Sequence, residues 1–196
     1  MALVRMGNKE GVCTGYLNRI YKKSLHTQCI RGFIKPSEFV FPTDTSIPMI
    51  MVGVGCGIAP FIGYIGEREY LMKTKKDANY GSFELYFGCR YREKDFIYKR
   101  ELQRWKEEGV LSALHLAFSR DQKEKVYVQN LMKEDAKRLS ELITKQQAII
   151  SICGSIKMGE EVRKTVLDII GIEVKESERY LEEMERTGRF VIELWD

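Results

Sequence analysis

Residues 48–63 read PMIMVGVGCGIAPFIG, and this stretch decides the fold. Its first residues are apolar and suit a buried strand. Gly53, Gly55 and Gly57 then allow a tight turn and a close approach of the backbone to a ligand. Pro60 suits the first turn of a helix, where its missing N–H costs no hydrogen bond. Free N–H groups and the helix dipole favour an anion there, so the stretch predicts a strand, a phosphate-binding turn and a helix.

Two other interpretations of this stretch are open. The G-x-G-x-G spacing differs from the G-x-G-x-x-G of the common dinucleotide fingerprint, and it is also compatible with a simple tight turn. Residues 45–66 carry no charged side chain and are numerous enough to span a bilayer. They contain five glycines and two prolines, and their two halves differ in periodicity. These features favour a strand, a turn and a helix over a membrane span.

Length and composition indicate a globular protein. The 196 residues can bury a sizeable core, and the net charge of +4 does not indicate nucleic-acid binding. The five cysteines include no C-x-x-C pair, which favours free thiols in a reducing compartment. Because there are only two histidines, we expect no histidine-based metal site. The N-terminus lacks a signal-peptide pattern, so we expect a cytoplasmic protein, or one facing the cytosol if its parent is membrane-anchored.

Predicted strands and helices alternate from residue 49 onward. The further strands are predicted over residues 83–89, 113–118, 148–153 and 190–195, and the further helices over 94–108, 126–146, 160–170 and 175–187. This alternation predicts a doubly wound, mostly parallel five-stranded α/β sheet with flanking helices, formed by residues 49–196. Residues 1–48 lack the alternation and contain β-prone runs, so we expect the end of a preceding β-rich domain.

Four segments follow predicted strands and define one candidate edge. They are the glycine turn, Gly88-Cys-Arg90, Phe118-Ser-Arg120 and Cys153-Gly-Ser155. In a doubly wound parallel sheet, ligands bind at the carboxyl ends of the strands. The sequence therefore predicts one ligand site formed by all four segments.

The segment after the predicted strand 113–118 has side chains that suit a phosphate monoester. Ser119, Arg120 and Lys125 supply a hydroxyl and two cations. Tyr127 is suited to stacking on an adenine ring or to donating a hydrogen bond. A solvated loop is the competing interpretation, because two acidic residues stand among the basic ones.

Three residues near the end of the chain are candidates for redox chemistry. Cys153 follows a predicted strand and suits either a place beside a redox ring or a small buried core position. Glu193 is an acid in an otherwise apolar strand, where it serves a site or points to solvent. Trp195 lies next to the C-terminus and should pack on a flat partner or be disordered.

Six motifs occur in order along the chain. They are Gly53-Val-Gly-Cys-Gly-Ile-Ala-Pro-Phe61, Phe87-Gly-Cys-Arg90, Phe118-Ser-Arg-Asp121, Lys125-Val-Tyr-Val-Gln129, Ile152-Cys-Gly154 and Glu193-Leu-Trp195. In this order and spacing they resemble the NADP(H)-binding half of the diflavin reductases, and more widely the ferredoxin–NADP reductases. The resemblance extends from about Gly11 to the end of the chain.

The resemblance implies roles for the matching residues. The NADP(H)-binding set, around the phosphates and the adenosine, is Gly53, Gly55, Cys56, Gly57, Arg90, Ser119, Arg120, Lys125, Tyr127, Gln129 and Gly154. The catalytic set, near the nicotinamide and the flavin, is Cys153, Glu193 and Trp195. The FAD-contacting set is Gly11, Val12, Cys13, Thr14 and Trp195, whose indole is expected to stack on the isoalloxazine.

The implied activity is hydride transfer from NADPH to FAD, followed by electron transfer through FMN to an acceptor protein. The resemblance leaves the acceptor open among a haem protein, a sulfite-reducing partner and a fused iron–sulfur oxidoreductase, as in pyruvate:NADP oxidoreductases. We expect FAD and FMN domains upstream, and an isolated chain that binds NADP(H) without being a complete enzyme. The alternative is a regulatory or scaffolding module that binds nucleotide without redox chemistry.

The chain also departs from the family pattern. Cys56 stands where the family commonly has threonine, which removes one hydroxyl. Ser155 and Glu193 stand where aspartates are usual, and the Arg-x-Tyr-Ser flavin motif is absent. The missing flavin motif supports the expectation of a fragment of a larger reductase.

Overall fold

The computed structural model describes residues 5–6, 9–22, 30, 32–34, 39 and 42–195. Contacts between residues divide the chain into two compact units, Met1–Ser37 and Glu38–Asp196. The division lies upstream of the expected boundary between residues 48 and 49. Phe39 accordingly packs within the second unit, with its ring centroid 5.6 Å from that of Phe61 and 5.7 Å from that of Tyr64.

In the first unit, two short strands and a helix are described. β1 (Arg5–Met6) pairs antiparallel with β2 (Lys9–Glu10), and α1 spans Val12–Lys22. The expectation of β-rich structure is therefore wrong for residues 12–22. Apolar residues four positions apart, such as Tyr16 and Ile20, give this stretch the periodicity of a helix.

The second unit is built on a parallel five-stranded sheet, as predicted. Its strands are β3 (Met49–Val54), β4 (Phe83–Cys89), β5 (Ala113–Phe118), β6 (Ile149–Ser155) and β7 (Phe190–Trp195). Their order in the sheet is β5-β4-β3-β6-β7, and each neighbouring pair is parallel. All five carboxyl ends therefore lie along one edge.

A 3₁₀ turn and seven helices connect the strands of the second unit. The turn spans Gly55–Ile58, and the helices are α2 (Ala59–Thr74), α3 (Arg92–Asp95), α4 (Lys99–Glu107), α5 (Val128–Glu134), α6 (Ala136–Thr144), α7 (Ile156–Ile170) and α8 (Ser177–Arg186). The two longest predicted connections, 94–108 and 126–146, are each divided. Tyr98, at φ 57°, separates α3 from α4, and Asp135 separates α5 from α6.

Side chains alternate along each strand and build a core on each face of the sheet. On one face Ile50 and Val52 belong to a cluster with side chains of α5 to α8, and on the other Met49 and Met51 belong to a cluster with side chains of α2 and α4. Because both faces are covered, β3 is apolar on both sides. Helices on both faces confirm the doubly wound architecture.

The strand order creates a crevice at the carboxyl edge. β3 is followed in the chain by β4 on one side, whereas its neighbour on the other side is β6. Such a point, where the strand order reverses, is where doubly wound sheets bind ligands. The glycine turn after β3 and the end of β6 lie at this point.

The charge-free stretch of residues 45–66 does not form a membrane span. It is divided between β3, the 3₁₀ turn and the first half of α2. Within the described part of the chain, no helix has both the length and the apolar character needed to cross a bilayer.

Glu84 is a buried acid on β4 that joins the sheet to α6. Its carboxylate accepts hydrogen bonds from Ser82 Oγ (2.8 Å) and Arg138 Nη1 (2.5 Å), and His115 Nε2 lies 3.7 Å from Oε2. Burial alone would raise the pKa of Glu84, but the neighbouring His115 and the two donors Arg138 and Ser82 outweigh it and lower the pKa to about 2. The ionised carboxylate therefore links β4, β5 and α6.

Candidate nucleotide-binding site

The glycine turn begins directly at the end of β3. Gly55 has φ +58°, a left-handed conformation that glycine adopts without strain. At Gly57 an added Cβ would overlap the carbonyl oxygen of Cys153, because the turn packs directly against the end of β6. Pro60 lies in the first turn of α2, as predicted. The backbone of the turn therefore forms a narrow cradle that is held against the end of β6, with no space for a side chain at position 57.

Arg90 is the first basic side chain of the edge and follows β4. Its side chain is 63% exposed, and its Nε lies 3.7 Å from Oδ2 of Asp95. The same carboxylate oxygen accepts a hydrogen bond from the N–H of Tyr91 at 3.1 Å. Asp95 therefore orients Arg90 while leaving its guanidinium open to solvent.

The segment after β5 is joined to the segment after β4 beyond the ends of the two strands. The N–H of Ser119 donates to the carbonyl of Cys89 at 3.0 Å, and the N–H of Arg120 donates to the carbonyl of Arg90 at 2.9 Å. These bonds bring Ser119 and Arg120 next to Arg90. The predicted convergence of the two segments is confirmed.

The segment ends at Tyr127, which precedes α5. Its N–H donates to Oδ1 of Asn130 at 2.9 Å, and its side chain is 43% exposed. Lys125 is also exposed. We call Arg90, Ser119, Arg120, Lys125 and Tyr127 the basic side of the edge.

Gln129 is half-buried within α5 and differs from these residues in having a partner on another helix. Its Nε2 donates to Oε2 of Glu161 on α7 at 2.5 Å. This bond links α5 to α7 behind the basic side. A role for Gln129 in cofactor binding stays a prediction.

The ends of β6 and β7 carry the residues predicted to be catalytic. In the parallel register Cys153 lies opposite Glu193, and Ser155 lies opposite Trp195. Val191 packs in the same cluster as Cys153, so alternation places Glu193 and Trp195 on that face of β7 too. We call Cys56, Cys153, Glu193 and Trp195 the thiol side of the edge.

The thiol of Cys153 is kept protonated by its surroundings. It is 2% exposed, and burial together with the charge of Glu193 and the proximity of Cys56 raises its pKa to about 12. Burial and the charge of Glu193 likewise raise the pKa of Tyr64 on α2 to about 12. The neutral side chains of Cys153 and Tyr64 therefore both lie near the carboxylate of Glu193.

Gly154 and Trp195 complete the thiol side. A Cβ at Gly154 would overlap the terminal methyl of Met158 on α7, which would have to move aside. Trp195 is 38% exposed and lies in the ladder of β7 rather than in a frayed terminus. Its indole is available for contact with a flat partner.

The sequence comparisons agree with this geometry. Residues 51–164 match the family described as the oxidoreductase NAD-binding domain. The chain belongs to this family. NADPH–cytochrome P450 reductase of Drosophila melanogaster is 39% identical over 191 residues, which are 95% of this chain and 28% of that protein. The corresponding protein of Rattus norvegicus is 39% identical over 168 residues, which are 83% of this chain and 24% of that protein.

The family membership confirms the resemblance to the NADP(H)-binding half of the diflavin reductases. It also makes the chain an oxidoreductase domain. The chain spans about a quarter of the length of these relatives. The individual roles of the site residues in this oxidoreductase domain stay predictions.

The predicted FAD-contacting residues lie in the first unit. Gly11 precedes α1, and Val12, Cys13 and Thr14 form its first turn. Val12 is 92% exposed. Their contact with FAD stays a prediction.

Three residues of the edge were not predicted from the sequence. Asp95 was not singled out and Asp121 fitted a solvated loop, yet Asp95 contacts Arg90, and both oxygens of Asp121 accept from the N–H of Arg92. Tyr64 was missed as well. Its one signal was its spacing of three residues from Phe61, which places the two rings on one side of α2 with centroids 6.3 Å apart.

Proposed function

We propose that this chain is the NADP(H)-binding part of a flavoprotein reductase, which passes hydride from NADPH to FAD and then electrons to a protein acceptor. One observation supports it most: backbone hydrogen bonds join the exposed cations of the basic side to the strand that neighbours the glycine turn. A dinucleotide with a 2′-phosphate carries anionic groups suited to both places.

The basic side suits the 2′-phosphate and the adenine. Arg120 and Lys125 are exposed cations, and the hydroxyl of Ser119 is near the backbone ladder between the two segments. Tyr127 offers a half-open ring face for the adenine. Arg90, oriented by Asp95, is placed between this group and the glycine turn, where the pyrophosphate would lie.

The thiol side suits the nicotinamide. When bound, NADPH supplies a hydride and the flavin accepts it. The protonated Sγ of Cys153 is a neutral neighbour for the reacting ring, and burial together with the carboxylate of Glu193 keeps it protonated by raising its pKa. Trp195 presents an aromatic face at the same edge, where it can cover the flavin and exclude water until nicotinamide replaces it.

The proposal assigns FAD and FMN to further domains of a whole reductase, with the isolated chain binding NADP(H) but not completing the reaction. The similarity to NADPH–cytochrome P450 reductases favours a haem protein as acceptor over a sulfite-reducing or iron–sulfur partner. The described cysteines are free thiols, which suits a cytosolic setting.

Binding of 2′,5′-ADP and 5′-AMP to the chain, measured by calorimetry, tests this proposal. We expect 2′,5′-ADP to bind at least about tenfold more tightly, because each charge-assisted hydrogen bond contributes about 1.5–3 kcal/mol. Equal affinity, or no binding of either nucleotide, would contradict the proposal.

A second experiment separates the reductase from a nucleotide-binding regulatory or scaffolding module. Reduction of a dye by NADPH is measured with the chain alone and with a longer chain that includes the flavin domains. We expect activity only from the longer chain, and its loss on Trp195→Ala or Cys153→Ala. A longer chain that binds NADPH but never reduces FAD would favour the regulatory module.

A further inference from the structure

Asp121 lies directly after the pair Ser119 and Arg120 and contacts the segment after β4. Both of its carboxylate oxygens accept from the N–H of Arg92 at 3.2 Å. Oδ2 also lies 3.9 Å from Nε of Arg92, whose guanidinium stacks 4.3 Å above the ring of Phe118. Asp121 and Arg92 therefore form a clasp between the two segments.

An acid at this position is unfavourable for phosphate binding, and its presence there therefore needs another explanation. A carboxylate next to Arg120 repels a dianionic phosphate, and it partly neutralises the positive charge of Arg120 that would attract the phosphate. The side chain of Asp121 is only 30% exposed, so water screens it incompletely. A residue that served solubility alone would sit better on the outer part of the loop.

The clasp is the outermost of three links between the segments. The first joins Ser119 to Cys89 and the second joins Arg120 to Arg90, both through the backbone. Residues 122–125 are exposed, and among them Gln122 Nε2 donates to the carbonyl of Phe118 at 2.6 Å. The contact of Asp121 with Arg92 is the last of these links between the two segments, and it restrains the backbone directly after Arg120.

We propose that Asp121 is a positioning residue that holds Arg120 beside Arg90 for the 2′-phosphate and so sets the preference for NADP(H) over NAD(H). This inference rests on the proposed function. Asp121 acts through Arg92 and the backbone and does not itself touch the nucleotide.

The two possible roles of Asp121 predict effects of opposite sign. If it is only a surface charge, its removal relieves repulsion and NADP⁺ binds more tightly. If it positions Arg120, its removal weakens NADP⁺ binding, although the local charge becomes more favourable. Glu124, an exposed acid in the same loop, provides the matched control.

The test measures the dissociation constants of NADP⁺ and NAD⁺ for Asp121→Ala, Asp121→Asn and Glu124→Gln by calorimetry. For Asp121→Ala we expect NADP⁺ to bind about tenfold more weakly and NAD⁺ to change less than about twofold. Asp121→Asn should fall between, because its amide oxygen still accepts from the N–H of Arg92. Glu124→Gln should bind NADP⁺ as tightly as the unsubstituted chain, or slightly more tightly.

Three results would overturn the inference. The first is an Asp121→Ala chain that binds NADP⁺ as tightly as the unsubstituted chain or more tightly. The second is an Asp121→Ala chain whose affinities for NADP⁺ and NAD⁺ fall by the same factor. The third result applies if Asp121→Ala does not fold: it is an Asp121→Asn chain whose preference for NADP⁺ over NAD⁺ is unchanged. An unsubstituted chain that shows no preference would instead contradict the proposed function, and the inference with it.

Discussion

The two sides of the carboxyl edge differ in how they expose their functional groups. On the basic side the Arg90 side chain is 63% exposed and Tyr127 is 43% exposed, whereas Cys153 on the thiol side is 2% exposed. Exposed cations attract a phosphate and release it again, because water screens each contact. A buried thiol instead offers a dry, neutral surface. Binding and chemistry should therefore respond to different substitutions.

The largest expected contrast concerns thiol reactivity. At pH 8 the thiolate fraction of Cys153, whose pKa is about 12, is about a thousandfold below that of an ordinary free cysteine. Iodoacetamide should therefore label the exposed Cys56 and leave Cys153 unlabelled. The rate at Cys153 should rise about tenfold per pH unit, because only the thiolate reacts. Mass spectrometry of the peptides measures both rates.

The control for thiol reactivity is the same labelling in denaturant, where both cysteines should react at similar rates. Because Cys13 is also exposed, a Cys56→Ser chain, which should lose the label at position 56 alone, confirms the assignment of Cys56. Equal labelling of Cys56 and Cys153 in the folded chain would contradict the burial and the raised pKa assigned to Cys153.

The next effect is steric and acts on both sides at once. Gly57→Ala should weaken NADP⁺ binding by about a hundredfold, because the new Cβ forces the glycine turn away from the carbonyl of Cys153. Calorimetric titration measures the loss. Gly63→Ala is the matched control: nothing lies within 4 Å of its added Cβ, and it should keep the affinity while stabilising α2 by about 0.5–1 kcal/mol. Affinity within threefold of normal in Gly57→Ala would contradict the cradle.

A smaller and more selective effect is expected on the basic side. Arg120→Ala should weaken NADP⁺ binding by about fiftyfold and NAD⁺ binding by less than about twofold, since only the 2′-phosphate loses a charged partner. Calorimetry with both nucleotides measures the change. Lys123→Ala, an exposed cation of the same loop, should have little effect on either. Equal losses for the two nucleotides would remove Arg120 from the 2′-phosphate site.

The smallest effect concerns Glu84, which lies near the beginning of β4, at the opposite end of that strand from Arg90. The pKa of Glu84 is lowered to about 2, so its stabilising contribution is present above about pH 4.3 and is lost as the pH falls toward 2. Glu84→Gln should lower the free energy of unfolding on the order of 1 kcal/mol at pH 6. Urea denaturation at pH 6, 4 and 3 measures it. A difference between the chains that stays constant over this range would contradict the assigned pKa.

The sheet was predictable because each strand is a compact apolar block. Strands predicted over residues 83–89 and 113–118 appear as Phe83–Cys89 and Ala113–Phe118. The breaks at Tyr98 and Asp135 were not predictable, because they depend on tertiary contacts. The phenol of Tyr86, for example, donates to the carboxylate of Asp135 at 2.7 Å, from a residue 49 positions away.

The site was predictable to the level of which segments meet, but not of what holds them. Alternation of strands and helices places Arg90, Ser119 and Arg120 at one edge. The hydrogen bond between Asp121 and the N–H of Arg92 joins residues 29 positions apart, and no local sequence pattern predicts it. The sequence also does not distinguish an acid that is exposed to solvent from one that accepts a hydrogen bond from a distant residue. The helix at residues 12–22 was missed because its glycine and β-prone residues outweighed its periodicity.

The most direct test of the account is a titration of ¹⁵N-labelled chain with NADP⁺, followed by the backbone amide signals. We expect the largest shifts at Gly55, Gly57, Ser119 and Arg120, with smaller ones at Cys153, and none along α8. No shifts at these amides, or shifts concentrated on the α8 face, would contradict the placement of the nucleotide at the carboxyl edge.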